Sequence, residues 1–316
     1  MLVRVLDGID AFLDQIGSVE FVPLALAICA HLLKMACTSR AWRNVLAAAY
    51  PEDRVRWLPI YGAYLAGVGI NAIIPARAGD AVRIVLTHRA IPGSTYTTVV
   101  SSTLVLSFFD MFAASVFLGW AISTNQLPGL DVLARFESFD FAFILARPLL
   151  FDLVVAAILV AIGLFAFWIA GHVANFRERV SQAFRVMSPP TRYLGRVATW
   201  QAADWGLRFV TIWFLLDAFN IPQSVENASL VQVSSSVATL FPITPAGVGT
   251  EQAFLLYVLS GVASASVLLA FSVGAKITLT LTNVVAGFTA IALTLRTVRF
   301  KKALEPVEQE AEQATT

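Results

Sequence analysis

Arg77 and Arg83 stand six residues apart in the segment Pro75-Ala-Arg77-Ala-Gly79-Asp80-Ala-Val-Arg83. Arginine presents a planar fork of N–H donors that matches the oxygens of a phosphate. Six residues do not bring two side chains together on one helix face, but a turn at Gly79 would aim both at one anion. A helix starting at residue 80 would add free backbone N–H groups and a partial positive charge. Other readings stand beside this one. The two arginines can snorkel to lipid headgroups as positive-inside anchors. Asp80 can cap the helix, or hold Arg77 or Arg83 in position.

A second broken segment, Pro242-Ile-Thr244-Pro245-Ala-Gly247-Val-Gly249-Thr-Glu251, lies 167 residues beyond the first, counted from Pro75 to Pro242. Its prolines remove backbone donors and its glycines allow close backbone approach. An ordinary interhelical turn with an acidic first residue is the bland alternative, but the density of Pro, Thr and Gly favours function. Paired interruptions in apolar segments are a sequence pointer to the substrate site of a membrane transporter. Isolated charges add to this. Asp110 falls mid-segment between Phe109 and Met111; an ionised Asp at a helix centre costs about 2.5–3.5 kcal/mol on insertion scales. It therefore needs a partner, and Arg77 and Arg83 are candidates. Asp204 and Arg208 have the i,i+4 spacing of a local ion pair. Lys276 is in a position to meet either a substrate phosphate or Glu251. His31 reads as a packed polar residue and Lys34 as a snorkelling one.

The elements that must position these residues follow from composition. The chain has 316 residues, of which 58% are hydrophobic and only 14% charged; a soluble domain carries about a quarter charged residues. Crossing the hydrocarbon core takes about 20 apolar residues in a helix. The sequence offers eight candidate segments, at 21–39, 57–75, 97–122, 149–171, 198–219, 228–244, 251–271 and 274–296. The expected fold is an all-α, polytopic membrane helix bundle with one or two of the segments broken or re-entrant. Residues 1–20, apolar at helical spacing but with three acids and an arginine by Asp14 and a further acid at Glu20, read as an interfacial amphipathic helix. Residues 21–300 form the transmembrane domain, and the polar tail 301–316 is expected to be disordered.

The arginine-rich connections 172–197 and 76–96, together with Arg296, Arg299, Lys301 and Lys302, point to the cytoplasm by the positive-inside rule. Eight full spans satisfy this, with both termini inside, but leave Arg40, Arg43, Arg54 and Arg56 outside. If 57–75 enters and leaves on one side, those arginines move inside and the N-terminus moves out. A net charge of +1 gives no basis for nucleic-acid binding. Cys29 and Cys37 lie too far apart on one helix to bridge. The three histidines share no metal-ligand spacing, and no cofactor is expected. No connection is long enough for a separate catalytic domain, so an enzyme is not expected.

With these residues in hand, the chain resembles the lysylphosphatidylglycerol synthase transmembrane, or flippase-like, family over about residues 20–296. The family's first motif is matched by Asn71, Pro75, Arg77, Gly79, Asp80 and Arg83, with Asp80 where Glu is usual. A later acid is matched by Asp110, although Leu106 and Ser107 replace a frequent Glu-Arg pair before it. The second motif is matched by Pro242, Thr244, Pro245, Gly247, Gly249 and Glu251, with Ala246 in place of a glycine. Lys276 stands where the family has arginine. All fourteen matched positions are candidate substrate-binding residues, none of them catalytic. The resemblance implies a translocase for an anionic phospholipid or polyprenyl-phosphate-linked headgroup in the cell membrane, most naturally a bacterial inner membrane; the positive-inside rule puts the C-terminus in the cytoplasm. The alternatives are a non-catalytic partner of a lipid-modifying enzyme or glycosyltransferase, and a membrane-embedded lipid phosphate transferase.

Overall fold

The computed structural model describes residues 17–74, 77–123, 174–240 and 250–297. Among these residues the chain is helical, with no strand. The helices are α1 (Phe21–Ala49), α2 (Trp57–Ile73), α3 (Ala78–Ala90), α4 (Tyr96–Ser123), α5 (Ala174–Ala183), α6 (Thr199–Ala218), α7 (Val225–Leu240), α8 (Thr250–Val258) and α9 (Ala265–Thr297). Short helical turns between residues 184 and 198 join α5 to α6. α1, Tyr96–Phe117 of α4 and Ala265–Leu293 of α9 are long and apolar enough to cross a membrane.

Local chemistry sets the boundaries. α1 stops before Pro51 and α3 before Ile91-Pro92, because the residue preceding a proline is driven out of the helical region. Ile74, before Pro75, is likewise extended at φ −97° and ψ 120°. Three helices start on a hydroxyl cap: Thr95 Oγ1 accepts the Thr98 N–H at 3.3 Å, Ser224 Oγ that of Asn227 at 3.0 Å, and Ser264 Oγ that of Val267 at 3.5 Å. The last of these corrects the expected segments 251–271 and 274–296. The chain breaks at 259–264 instead, and α9 runs unbroken through Gly274. That glycine is not a stop; it makes room for the Phe219 ring, which lies where a Cβ would be. The segment 149–171, the first sixteen residues and the tail 301–316 lie outside the described residues.

α1 and α6 form an antiparallel central pair. Its rungs are the Glu20 N–H to the Ala218 carbonyl at 2.9 Å, the Thr38 hydroxyl to Asp204, and Asn44 Nδ2 to the Arg196 carbonyl at 2.6 Å. Around this pair the same order occurs twice: long helix, helical hairpin, long helix. The hairpin α2/α3 starts and ends at the C-terminal end of α1, where Val55 and Ile91 share a cluster with Trp42, Leu46 and Tyr50. The hairpin α7/α8 starts and ends at the opposite end, where Ile221, Ala228 and Leu259 cluster with Ala27 and Phe271. α2 packs on α9, and α7 packs correspondingly on α4. This is an inverted repeat, with its pseudo-two-fold axis lying across the bundle.

The α2/α3 hairpin thus starts and ends at one end of the bundle, the arrangement the sequence offers as the alternative to a full span at 57–75. Arg43, bonded to the Val55 carbonyl at 2.8 Å, then shares one end of the bundle with Arg54, Arg56, Arg89, Arg185 and Arg196. Among the described residues no lysine or arginine lies at the other end, which carries Glu20, Asp217 and Glu226. α9 runs parallel to α1, since Ala27 shares a cluster with Phe271, His31 Nε2 lies 2.8 Å from Asn283 Oδ1, and Met35 shares a cluster with Ala290. α1 thus begins, and α9 ends, on opposite faces.

Candidate functional site

The first hairpin is built on glycine. A Cβ on Gly67 would lie 2.7 Å from the Gly79 carbonyl oxygen, and one on Gly69 2.7 Å from Gly287 Cα. Both distances are below any tolerable contact, so only glycine lets α2 lie backbone to backbone with α3 on one side and with α9 on the other. Asn71 ties the hairpin shut. Its Oδ1 accepts the Gly79 N–H at 2.7 Å, and its Nδ2 donates to Asp80 Oδ1 at 3.0 Å.

Asp80 consequently does not cap a helix starting at residue 80. α3 starts two residues earlier, and its N-cap residue, Arg77, makes no capping hydrogen bond with its own side chain. Asp80 instead faces Arg83, whose Nε lies 3.5 Å from its Oδ1. That Nε is buried without a hydrogen bond among the described residues, and the guanidinium sits 5.5 Å from the Trp42 ring centroid in cation–π range. Arg77 is exposed and left-handed at φ 58°, a conformation uncommon for a non-glycine residue and enriched at functional turns. The Gly79 amide is committed to Asn71, and the Arg77 side chain is exposed beside it.

Asp110 is not partnered by Arg77 or Arg83. Trp205 Nε1 donates to its Oδ1 at 2.9 Å, and Arg208 Nη2 lies 3.7 Å from the same oxygen. Arg208 also makes the expected pair on α6, its Nε to Asp204 Oδ2 at 2.7 Å. Lys34 is within electrostatic range of Asp110, Asp204 and Arg208. Tyr64 faces Thr38 and lies within range of both Arg83 and Arg208, so the hairpin arginine and the central-pair arginine border one interior region. Thr38, Tyr64, Trp205 and Arg208 are absent from the fourteen candidates. The available signal was helical spacing: Lys34 and Thr38 on α1, like Asp204 and Arg208 on α6, form i,i+4 polar steps on otherwise apolar helices.

In the second hairpin, Lys276 meets Glu251. Its Nζ is 3.3 Å from Oε2, while the Ser235 hydroxyl donates to Oε1 at 2.5 Å. Pro75, Pro242, Thr244, Pro245, Gly247 and Gly249 lie outside the described residues. The two hairpins meet through α9. Leu65 clusters with Ala290 and Gly69 lies against Asn283, so α2 runs antiparallel to α9 and its tip points toward the Lys276 end.

Apolar spans arranged as an inverted repeat, with charged side chains turned inward, define a multi-pass helical membrane protein. A family model for the lysylphosphatidylglycerol synthase TM region matches residues 1–287. The chain belongs to that family. Comparison with curated proteins gives no match.

Proposed function

We propose that this protein is a translocase for an anionic lipid or lipid-linked headgroup, with no catalytic chemistry of its own. The observation that supports it best is the tip of the first hairpin. Arg77 is exposed there in a left-handed conformation, on a turn whose arms are locked together by Asn71 and by glycine contact. A fold that presents a guanidinium on such a turn, with Arg83 six residues further on, suits capture of a phosphate. Arg77 and Arg83 take the phosphate, Lys276 adds charge from α9, and Asp80, Asp110 and Glu251 balance these cations. The two inverted hairpins are natural gates, opening the interior to one leaflet and then the other.

The basic rim faces the cytoplasm in this reading. The first hairpin then enters from the cytoplasmic side and the second from outside, and α9 ends inside. A bacterial inner membrane is the setting proposed. Reconstitution tests the reading through leaflet exchange of labelled phosphatidylglycerol and polyprenyl phosphate. Arg77→Ala is expected to weaken headgroup binding by about tenfold or more, the worth of one charge-assisted hydrogen bond. Exchange as fast as wild type in that variant would remove Arg77 from the site. Lipid-enzyme co-purification without any intrinsic exchange would favour the non-catalytic partner instead.

A further inference from the structure

The cluster around Arg208 holds two cations, Lys34 and Arg208, and two carboxylates, Asp110 and Asp204, drawn from α1, α4 and α6. Charges at membrane depth are tolerated when they balance, so an anion brought against Arg208 disturbs a neutral group unless one carboxylate gives up its charge. The carboxylates are held unequally. Asp204 is 3% exposed and takes both the Arg208 Nε–H and the Thr38 hydroxyl. Glu251 has Ser235 and Lys276, and Asp80 has Asn71 and Arg83. Among the described residues, Asp110 is 45% exposed and has one hydrogen bond, from Trp205, and an Arg208 nitrogen at 3.7 Å, beyond hydrogen-bond reach.

We propose that Asp110 is a proton carrier, and that each monoanionic headgroup crosses together with one proton. This rests on the translocation reading above. A proton from the aqueous phase binds a carboxylate oxygen of Asp110 and cancels its charge. Arg208, still aimed by Asp204, then has a free face for the phosphate after its capture by Arg77 and Arg83. The phosphate replaces the charge that Asp110 gave up, so the cluster stays neutral. On the far side, release of headgroup and proton restores the Asp110 carboxylate. The α1–α6 pair is untouched throughout, because its rung at this level is Thr38 to Asp204; what loosens is the hold of Trp205 and Arg208 on α4. Among the described residues, the groups within electrostatic or hydrogen-bond range of Asp110 are Lys34 from α1, Asp204, Trp205 and Arg208 from α6, and Tyr193 from the turns before α6. The other helices packed on α4 meet its first turns with their polar groups, His88 of α3 stacking on Tyr96 and the Arg179 carbonyl of α5 accepting from Thr98. The one ionisable side chain of α7, Glu226, lies in that helix's first turn.

The test uses full-length protein in phosphatidylcholine vesicles with a trace of labelled phosphatidylglycerol. The pH gradient and the membrane potential are imposed separately. Wild type is expected to ignore the potential and to accumulate label in the leaflet opposite the acidic side, by about tenfold per pH unit for one proton per lipid. Asp110→Asn keeps an acceptor for Trp205 and removes the titratable oxygen. Any exchange it retains is expected to follow the potential and ignore the pH gradient. A dye in the vesicle lumen provides a second measurement on wild type alone, where one proton is expected to enter per lipid moved. Equal leaflets under a pH gradient would overturn the coupling and leave translocation standing. An unchanged pH response in Asp110→Asn would overturn the role of Asp110. No exchange by wild type under any gradient overturns translocation, and the coupling with it.

Discussion

The two hairpins occupy equivalent places in the repeat but hold their charges differently. In α2/α3 the arms are locked by backbone contact and by Asn71, and the cation at the tip, Arg77, is left exposed. In α7/α8 the acid at the start of the second arm, Glu251, is held by Ser235 and by Lys276 of a neighbouring helix. Among the described residues, one hairpin is closed by backbone contact and presents its charge, while the other shares its charge with α9. Backbones in contact do not slide, whereas a partly exposed ion pair breaks at little cost.

The largest effect should come from Gly79→Val, which puts a side chain where the Gly67 carbonyl lies. Overpacking of this kind costs about 1–3 kcal/mol and sometimes more, and here the neighbour is backbone that cannot step aside. Thermal unfolding of the purified protein is expected to show a strong loss of stability or no folded protein at all; a melting curve like wild type would mean that the arms are not in contact. Asn71→Ala comes next. It orphans the Gly79 N–H and removes a donor from Asp80, for a loss of about 1–3 kcal/mol in the same assay. Ser235→Ala, the counterpart in the second hairpin, is expected to cost less, about 1 kcal/mol, because Glu251 keeps Lys276. A larger loss than that of Asn71→Ala would invert the comparison. The coupling between Lys276 and Glu251, measured by a double-mutant cycle, should be at most about 1 kcal/mol, since Lys276 is nearly half exposed. Arg77→Ala should leave stability within about 0.5 kcal/mol of wild type while weakening headgroup binding, which separates presentation of charge from architecture.

Much of the bundle was legible because its signals are local. Pro51, Pro75 and Pro92 end helices wherever they stand, and Thr95, Ser224 and Ser264 can cap in any context. The Ser-Val-Gly at 272–274 misled because it has the composition of a break, and only the Phe219 ring packed against Gly274 explains why it is none. The candidate site was half legible. Asn71, Gly79, Asp80 and Arg83 are close in sequence and meet in space, and Glu251 and Lys276 were foreseen as a possible pair. The partner of Asp110 was not, because Arg208 lies 98 residues away and looked sufficiently paired with Asp204.

By itself the amino-acid order determined that the chain is helical and membrane-embedded, and where two of its apolar runs are interrupted. Apolar length, proline and hydroxyl caps act over a few residues and need no neighbours. Tertiary structure alone decided that α2 turns back, that the arginines gather on one face, and that Asp110 falls to Arg208. Those outcomes depend on backbone approach and on charge separation through space, and Coulomb attraction in a low-dielectric interior follows distance, not chain position.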